Sequence, residues 1–228
     1  MNVVIASNKA WHHPHAHEVA TCTGATVTYL ERRDEVAVSR FAQLKPDWVF
    51  FPHWSHIIPP EIYENYRCVI FHMTDLPFGR GGSPLQNLIV RGVYETKLSA
   101  IVCTGELDAG DVYLKRSLSL HGSAEEIYLR AAALTRDMMI EIVQTQPSPI
   151  PQAGNPVVFR RRTPEDGRIG ACAELSEVFD CIRMLDAEGY PPAFLEIGRL
   201  RLEFTRAALR NGRIEANVVI RMSEGEDV

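Results

Sequence analysis

The sequence predicts an α/β fold. A Rossmann-like, doubly wound, mostly parallel sheet spans residues 1–146, and a Pro-rich linker at 147–156 leads to a small C-terminal α+β subdomain at 157–228. Three observations carry this. Up to residue 118, short apolar runs alternate with stretches whose apolar residues recur at helical spacing. The segment PSPIPQAGNP then breaks the pattern with turn formers. Beyond it, AFLEIGRLRLEFTRAAL and RIEANVVIRM flank Asn211-Gly212, a hairpin signal, and alternate like antiparallel strands.

Taken in order, Asn2–Ser7 is a buried first strand, and Pro14 suits the first turn of a helix reaching about Cys22. Thr26–Leu30 is the second strand, Val36–Leu44 a helix and Trp48–Phe51 the third strand. A helix is expected over Pro59–Tyr66, a strand over Cys68–Phe71, then a turn-rich loop (DLPFGRGGSP) and a helix over Pro84–Arg91. Strands follow at Lys97–Cys103 and Val112–Leu118. Ser123 opens a helix to about Gln144, with Glu126 three residues on as its capping-box partner. After the linker come a strand at Val157–Arg160, a turn (TPEDG) and a helix over Leu175–Ala187.

Bulk properties narrow the classes. Apolar residues are 46% and charged residues 23%, ordinary for a globular chain. A net charge of -5 argues against a basic nucleic-acid face, so no nucleic-acid partner is expected. No apolar run nears the roughly 18 residues of a membrane helix, and MNVVIASNK lacks the basic start of a signal peptide. Five scattered cysteines without CxxC spacing read as free thiols, which with the missing signal peptide predicts a cytoplasmic protein.

The chemistry concentrates between Cys68 and Tyr113. His72 closes one predicted strand, and Asp108 lies in LDAGD after the next, at the sheet edge where α/β folds bind ligands. Each alone equally suits a structural histidine or a turn. GRGG without a following GK[ST] is not a phosphate loop. Near the N-terminus, His12, His13, His15 and His17 fall within six residues, and His13 and His17 have the i, i+4 spacing of a shared zinc. Only Glu18 offers a carboxylate beside them, so no metal is expected. Lys9, Trp11 and these histidines are expected instead to contact an acceptor substrate. Arg160-Arg161-Arg162 reads as a strand's solvent face.

The order of residues in the central stretch resembles the 10-formyltetrahydrofolate-dependent formyltransferases. The usual Asn-x-His-Pro-Ser-Leu-Leu-Pro…Arg-Gly-x-x-Pro…Asp-x-Gly stands here as Ile70-Phe71-His72-Met73-Thr74-Asp75-Leu76-Pro77…Arg80-Gly81-Gly82-Ser83-Pro84…Asp108-Ala109-Gly110. Trp54-Ser55-His56-Ile57-Ile58-Pro59 also resembles the segment that precedes this strand in the family. The resemblance implies 10-formyltetrahydrofolate as formyl donor and no metal, with His72 moving protons and Asp108 orienting it. It implies folate contacts from Trp54, His56, Ile57, Ile58, Gly105 and Leu107, and acceptor contacts from Lys9, Trp11, Asp75, Arg80 and Gly81. Isoleucine at position 70 cannot donate the hydrogen bond of the family's asparagine. Thr74, Asn87 or a backbone N–H of the 79–83 loop are the candidate replacements.

FRRRTPEDGRI and IRMLDAEGYPPAF resemble the C-terminal part of the amino-sugar-nucleotide branch. The expected acceptor is therefore a nucleotide-linked amino sugar ahead of methionyl-tRNA, with no membrane partner and a homodimer allowed. The alternative is a catalytically impaired folate- or nucleotide-binding homologue on the same fold.

Overall fold

A computed structural model describes residues 1–170 and 172–223, so residue 171 and the last five residues of the expected subdomain lie outside the description. The chain forms two compact units. The first gathers Met1–Pro84, Thr96–Leu118 and Leu129–Phe159; the second gathers Leu85–Glu95, Ser119–Tyr128 and the chain from Arg160 onward.

The first unit carries the expected α/β sheet. Its strands are β1 (Asn2–Ala6), β2 (Thr26–Leu30), β3 (Trp48–Phe51), β4 (Cys68–His72), β6 (Glu95–Val102) and β7 (Val112–Ser119), in the order β2-β1-β3-β4-β6-β7. Central β1 and β3 are buried on both faces, from Val3 to Ala6 and from Trp48 to Phe51, which is why they read as unbroken apolar runs. Helix α1 (His13–Thr23) starts with a proline in its first turn and stops at Gly24, whose φ of 69° makes the left-handed cap. Helices α2 (Val38–Leu44) and α3 (Pro60–Tyr63) are shorter than the apolar spacing predicts: a 3-10 turn over Arg33–Glu35 precedes α2, and α3 is a single turn.

Two features depart from the sequence expectation. β1, β2, β3 and β4 pair in parallel, but β6 runs antiparallel to β4, with His72 opposite Ser99. An apolar strand reads the same in either direction, so its periodicity does not set its sense. The second feature is β5 (Phe78–Gly81), which lies inside the turn-rich loop and pairs in parallel with β8 (Val157–Phe159). Its sequence, FGRG, carries no strand propensity; close backbone approach defines it. Gly81 has a φ of 103°, a side chain there would run into the Phe159 carbonyl, and that carbonyl accepts the Gly82 N–H at 3.2 Å.

Helix α4 (Pro84–Ile89) leads into the second unit, and α5 (Ala124–Thr145) starts there. The α5 capping box forms as predicted, with Ser123 N–H on Glu126 Oε2 at 2.8 Å and Glu126 N–H on Ser123 Oγ at 3.3 Å. The rest of this unit holds α6 (Leu175–Arg183) and the antiparallel strands β9 (Ala193–Ile197), β10 (Leu200–Arg210) and β11 (Arg213–Met222), in the order β11-β10-β9. Ile169, Ile182 and Ala193 form its core with Val178, Leu195 and Phe204. Buried Arg183 donates from Nε to Asp180 at 2.6 Å and from Nη1 to the carbonyls of Leu120 and Gly122.

Phe159 anchors the small β5–β8 pairing: it is 2% exposed and its ring meets Phe78 edge-on at 5.4 Å. Replacing it with alanine is expected to cost about 3–5 kcal/mol in urea unfolding, the usual range for a buried phenylalanine. A loss below about 0.5 kcal/mol would contradict this packing role.

Candidate active site

His72 is the last residue of β4 and Asp108 sits in the loop after β6; each is 7% exposed. His72 Nδ1 lies 3.5 Å from Asp108 Oδ2, and Nε2 donates to the Gly79 carbonyl at 2.7 Å. Both ring nitrogens therefore face acceptors. A doubly protonated ring satisfies both contacts, and a neutral ring leaves one without a hydrogen.

Backbone geometry fixes the carboxylate. Asp108 has a φ of 51°, a left-handed conformation that aspartate tolerates better than most residues. Its Oδ2 accepts the Gly81 N–H at 2.9 Å, so β5 holds the side chain that faces His72. Gly110 passes so close to Val102 that any side chain would strike the Val102 carbonyl oxygen, which accounts for glycine two residues after the aspartate. A cavity of about 350 Å³ adjoins this turn, lined by Val102, Thr104, Glu106, Ala109, Gly110 and Asp111. Its volume falls at the lower end of the range of small-ligand sites.

Comparison with known proteins places this arrangement. The formyl transferase family model matches residues 6–143, and the model for the methionyl-tRNA formyltransferase C-terminal domain matches residues 164–221. The chain belongs to the formyl transferase family. A solved methionyl-tRNA formyltransferase from Clostridium thermocellum is 47% identical, with a TM-score of 0.94 over 98% of this chain and 100% of that one. The methionyl-tRNA formyltransferase of Gluconobacter oxydans is 28% identical over 206 residues, 87% of this chain and 67% of that enzyme. A sugar N-formyltransferase from Shewanella sp. shares the fold, with a TM-score of 0.69 at 14% identity over 100% of this chain and 99% of that one. The C-terminal segment, expected from its FRRRTPEDGRI stretch to follow the amino-sugar branch, thus matches the methionyl-tRNA enzymes instead.

The other expected residues have their own local partners. Ile70 packs against Leu76, Ile101 and Val112, so apolar contacts fill the position of the family's asparagine. Thr74 is fully buried, and its hydroxyl donates to the Gly79 carbonyl at 3.4 Å. Asn87 belongs to the second unit, where its amide donates to the Arg160 carbonyl at 2.9 Å. Of the loop N–H groups, those of Gly81 and Gly82 are bonded to Asp108 and Phe159.

Asp75 is engaged by Lys97 at 2.9 Å and Lys115 at 2.6 Å. Burial raises its pKa, but these two partners outweigh burial and hold it below the usual carboxylate range. Arg80 reaches Glu106 at 3.6 Å and the side chain of Gln152. Trp54 packs against the core with His56 edge-on to it at 5.2 Å, and Ile58 joins that core. Ile57 and Leu107 are 89% and 68% exposed, and Gly105 is exposed beside them in sequence to Leu107.

The histidine-rich segment resolves differently from a row of four. Lys9 Nζ lies 5.3 Å from the Trp11 ring, and His12 pairs with His53, Nε2 to Nδ1, at 2.8 Å. His13 and His17 are exposed. His53 and Gln152 are the residues that the sequence reading passed over. Neither has a motif, but His53 follows buried β3 and a proline, close to a strand end as His72 is.

The histidine pair is held neutral. Burial, with Lys9 nearby, lowers the His53 pKa to about 4; burial, with His53 and His15, lowers that of His12 to about 2. Both folded values lie below the unfolded 6.5, so this contribution to stability is full above pH 6.5 and declines as pH falls towards 4. At pH 5, His53 alone costs about 2 kcal/mol. Asparagine tolerates the 50° φ of His53 and can still bond His12. The loss of unfolding free energy between pH 7 and 5 is therefore expected to shrink by about that amount in His53→Asn. An undiminished loss would contradict a neutral buried pair.

Proposed function

We propose that this chain is an N-formyltransferase that carries the formyl group of 10-formyltetrahydrofolate to an amine. The observation that carries the reading is the buried His72–Asp108 pair, with Gly81 N–H on the carboxylate, beside a ligand-sized cavity. Formyl transferases use this folate as donor. Its pterin suits the cavity walls, with Val102 and Ala109 for ring faces and Glu106 and Asp111 for ring N–H donors.

When bound, the donor supplies a carbonyl carbon to the acceptor nitrogen. His72 delivers a proton to the departing folate nitrogen, regains the one that the acceptor amine loses and, while protonated, stabilises charge on the carbonyl oxygen. Asp108 aligns the ring and supports its charged form. Ile70 offers no side-chain donor, and the Thr74 hydroxyl and His72 Nε2 both meet the Gly79 carbonyl, so His72 stabilises the oxyanion by exchanging that carbonyl for the substrate oxygen.

Methionyl-tRNA is the acceptor that the named relatives favour, which replaces the expectation of no nucleic-acid partner. One observation favours a second reading, a small acceptor such as a nucleotide-linked amino sugar. In the C-terminal unit Arg160, Arg168, Arg201, Arg213 and Arg221 each pair with a carboxylate, which leaves less positive charge for phosphates.

Incubation with 10-formyltetrahydrofolate and either methionyl-tRNA or a panel of amino-sugar nucleotides, read by mass change, separates the acceptors. Formylated methionyl-tRNA supports the first reading. Turnover only with a sugar supports the second, and folate binding without turnover would sink both. His72→Ala and Asp108→Asn are each expected to lower kcat by roughly 10²–10⁴ with the folded state intact.

A further inference from the structure

Gln152 lies in the Pro-rich stretch after α5 and is half-buried within the first unit. Its amide NH₂ donates to two carbonyls, those of Asp108 at 2.9 Å and Gly110 at 2.8 Å. Its Oε1 accepts from Arg80 Nε at 3.2 Å and Nη2 at 2.9 Å. Every hydrogen-bonding site of the side chain is used. Carbonyls on one side and a guanidinium on the other leave a single orientation of the amide that fits.

These bonds grip the Asp108–Gly110 turn from behind. The left-handed Asp108 conformation is not one a free loop keeps, so something must hold it. Gly81 N–H fixes the carboxylate end and Gln152 fixes the backbone end. Arg80, the residue before Gly81, ties Gln152 back to the strand that makes the carboxylate contact. The geometry points to Gln152 as a positioning residue that sets the approach of Asp108 to His72. It rests on the reading of His72 and Asp108 as the reacting pair.

Glutamate at this position tests the assignment closely. It keeps the shape and still accepts from Arg80, but an ionised carboxylate cannot donate to the two carbonyls and is repelled by them. Gln152→Met, which removes the amide without adding charge, is made alongside in case the glutamate variant does not fold. The measurement is kcat per folate-binding site in the full chain, in wild-type and Asp108→Asn backgrounds, with His72→Ala as reference.

The expected result is a fall in kcat of about tenfold or more in the wild-type background, with KM for the donor within about twofold. In the Asp108→Asn background the same substitution is expected to have almost no further effect, because the path through the carboxylate is already lost. An unchanged kcat per site overturns the inference. So does an equal fall in both backgrounds, which would mean that Gln152 acts independently of Asp108. Full turnover by His72→Ala would overturn the underlying reading of the site, and the inference with it.

Discussion

The site depends on one constraint: a left-handed aspartate whose carboxylate is held by a main-chain N–H from another strand. Asp108 reaches His72 only because its φ is positive, because Gly110 lets the chain pass Val102, and because Gly81 presents its N–H from β5. β5 in turn exists only by pairing with β8. A carboxylate fixed by backbone contacts cannot swing away to water as a flexible one does. That rigidity keeps the carboxylate facing the His72 ring.

Ile70 shows how such a site tolerates a lost polar group. An asparagine here would point into Leu76, Ile101 and Val112; isoleucine fills that space with apolar contacts. Partly buried Ile70 thus packs well in the fold while offering no donor. His72, the polar group beside it on β4, already has acceptors at both ring nitrogens.

Much of the fold was legible from the sequence because it rests on local patterning. The runs VVIA and WVFF could only be buried strands, Pro14 and Gly24 bracket α1, and Ser123 with Glu126 starts α5. His72 and Asp108 were legible as a pair because residue type and strand ends coincide. The sense of β6, the strand in FGRG and the His12–His53 contact were not, since each depends on which distant backbone lies alongside. Gln152 was hidden for the same reason: in sequence it is one polar residue among prolines, and its partners lie over 40 residues away. The acceptor was not legible: the C-terminal segment was expected to follow the amino-sugar branch, and it matches the model of the methionyl-tRNA formyltransferase C-terminal domain.

A crystal structure with 5-formyltetrahydrofolate, a donor analogue whose formyl group is on the neighbouring nitrogen, tests the central claim most directly. The pterin is expected in the cavity between Val102 and Asp111, with the formyl oxygen within about 3 Å of the His72 ring and the Asp108–Gly81 contact retained. A pterin bound elsewhere, or a formyl group beyond hydrogen-bond reach of His72, would contradict it.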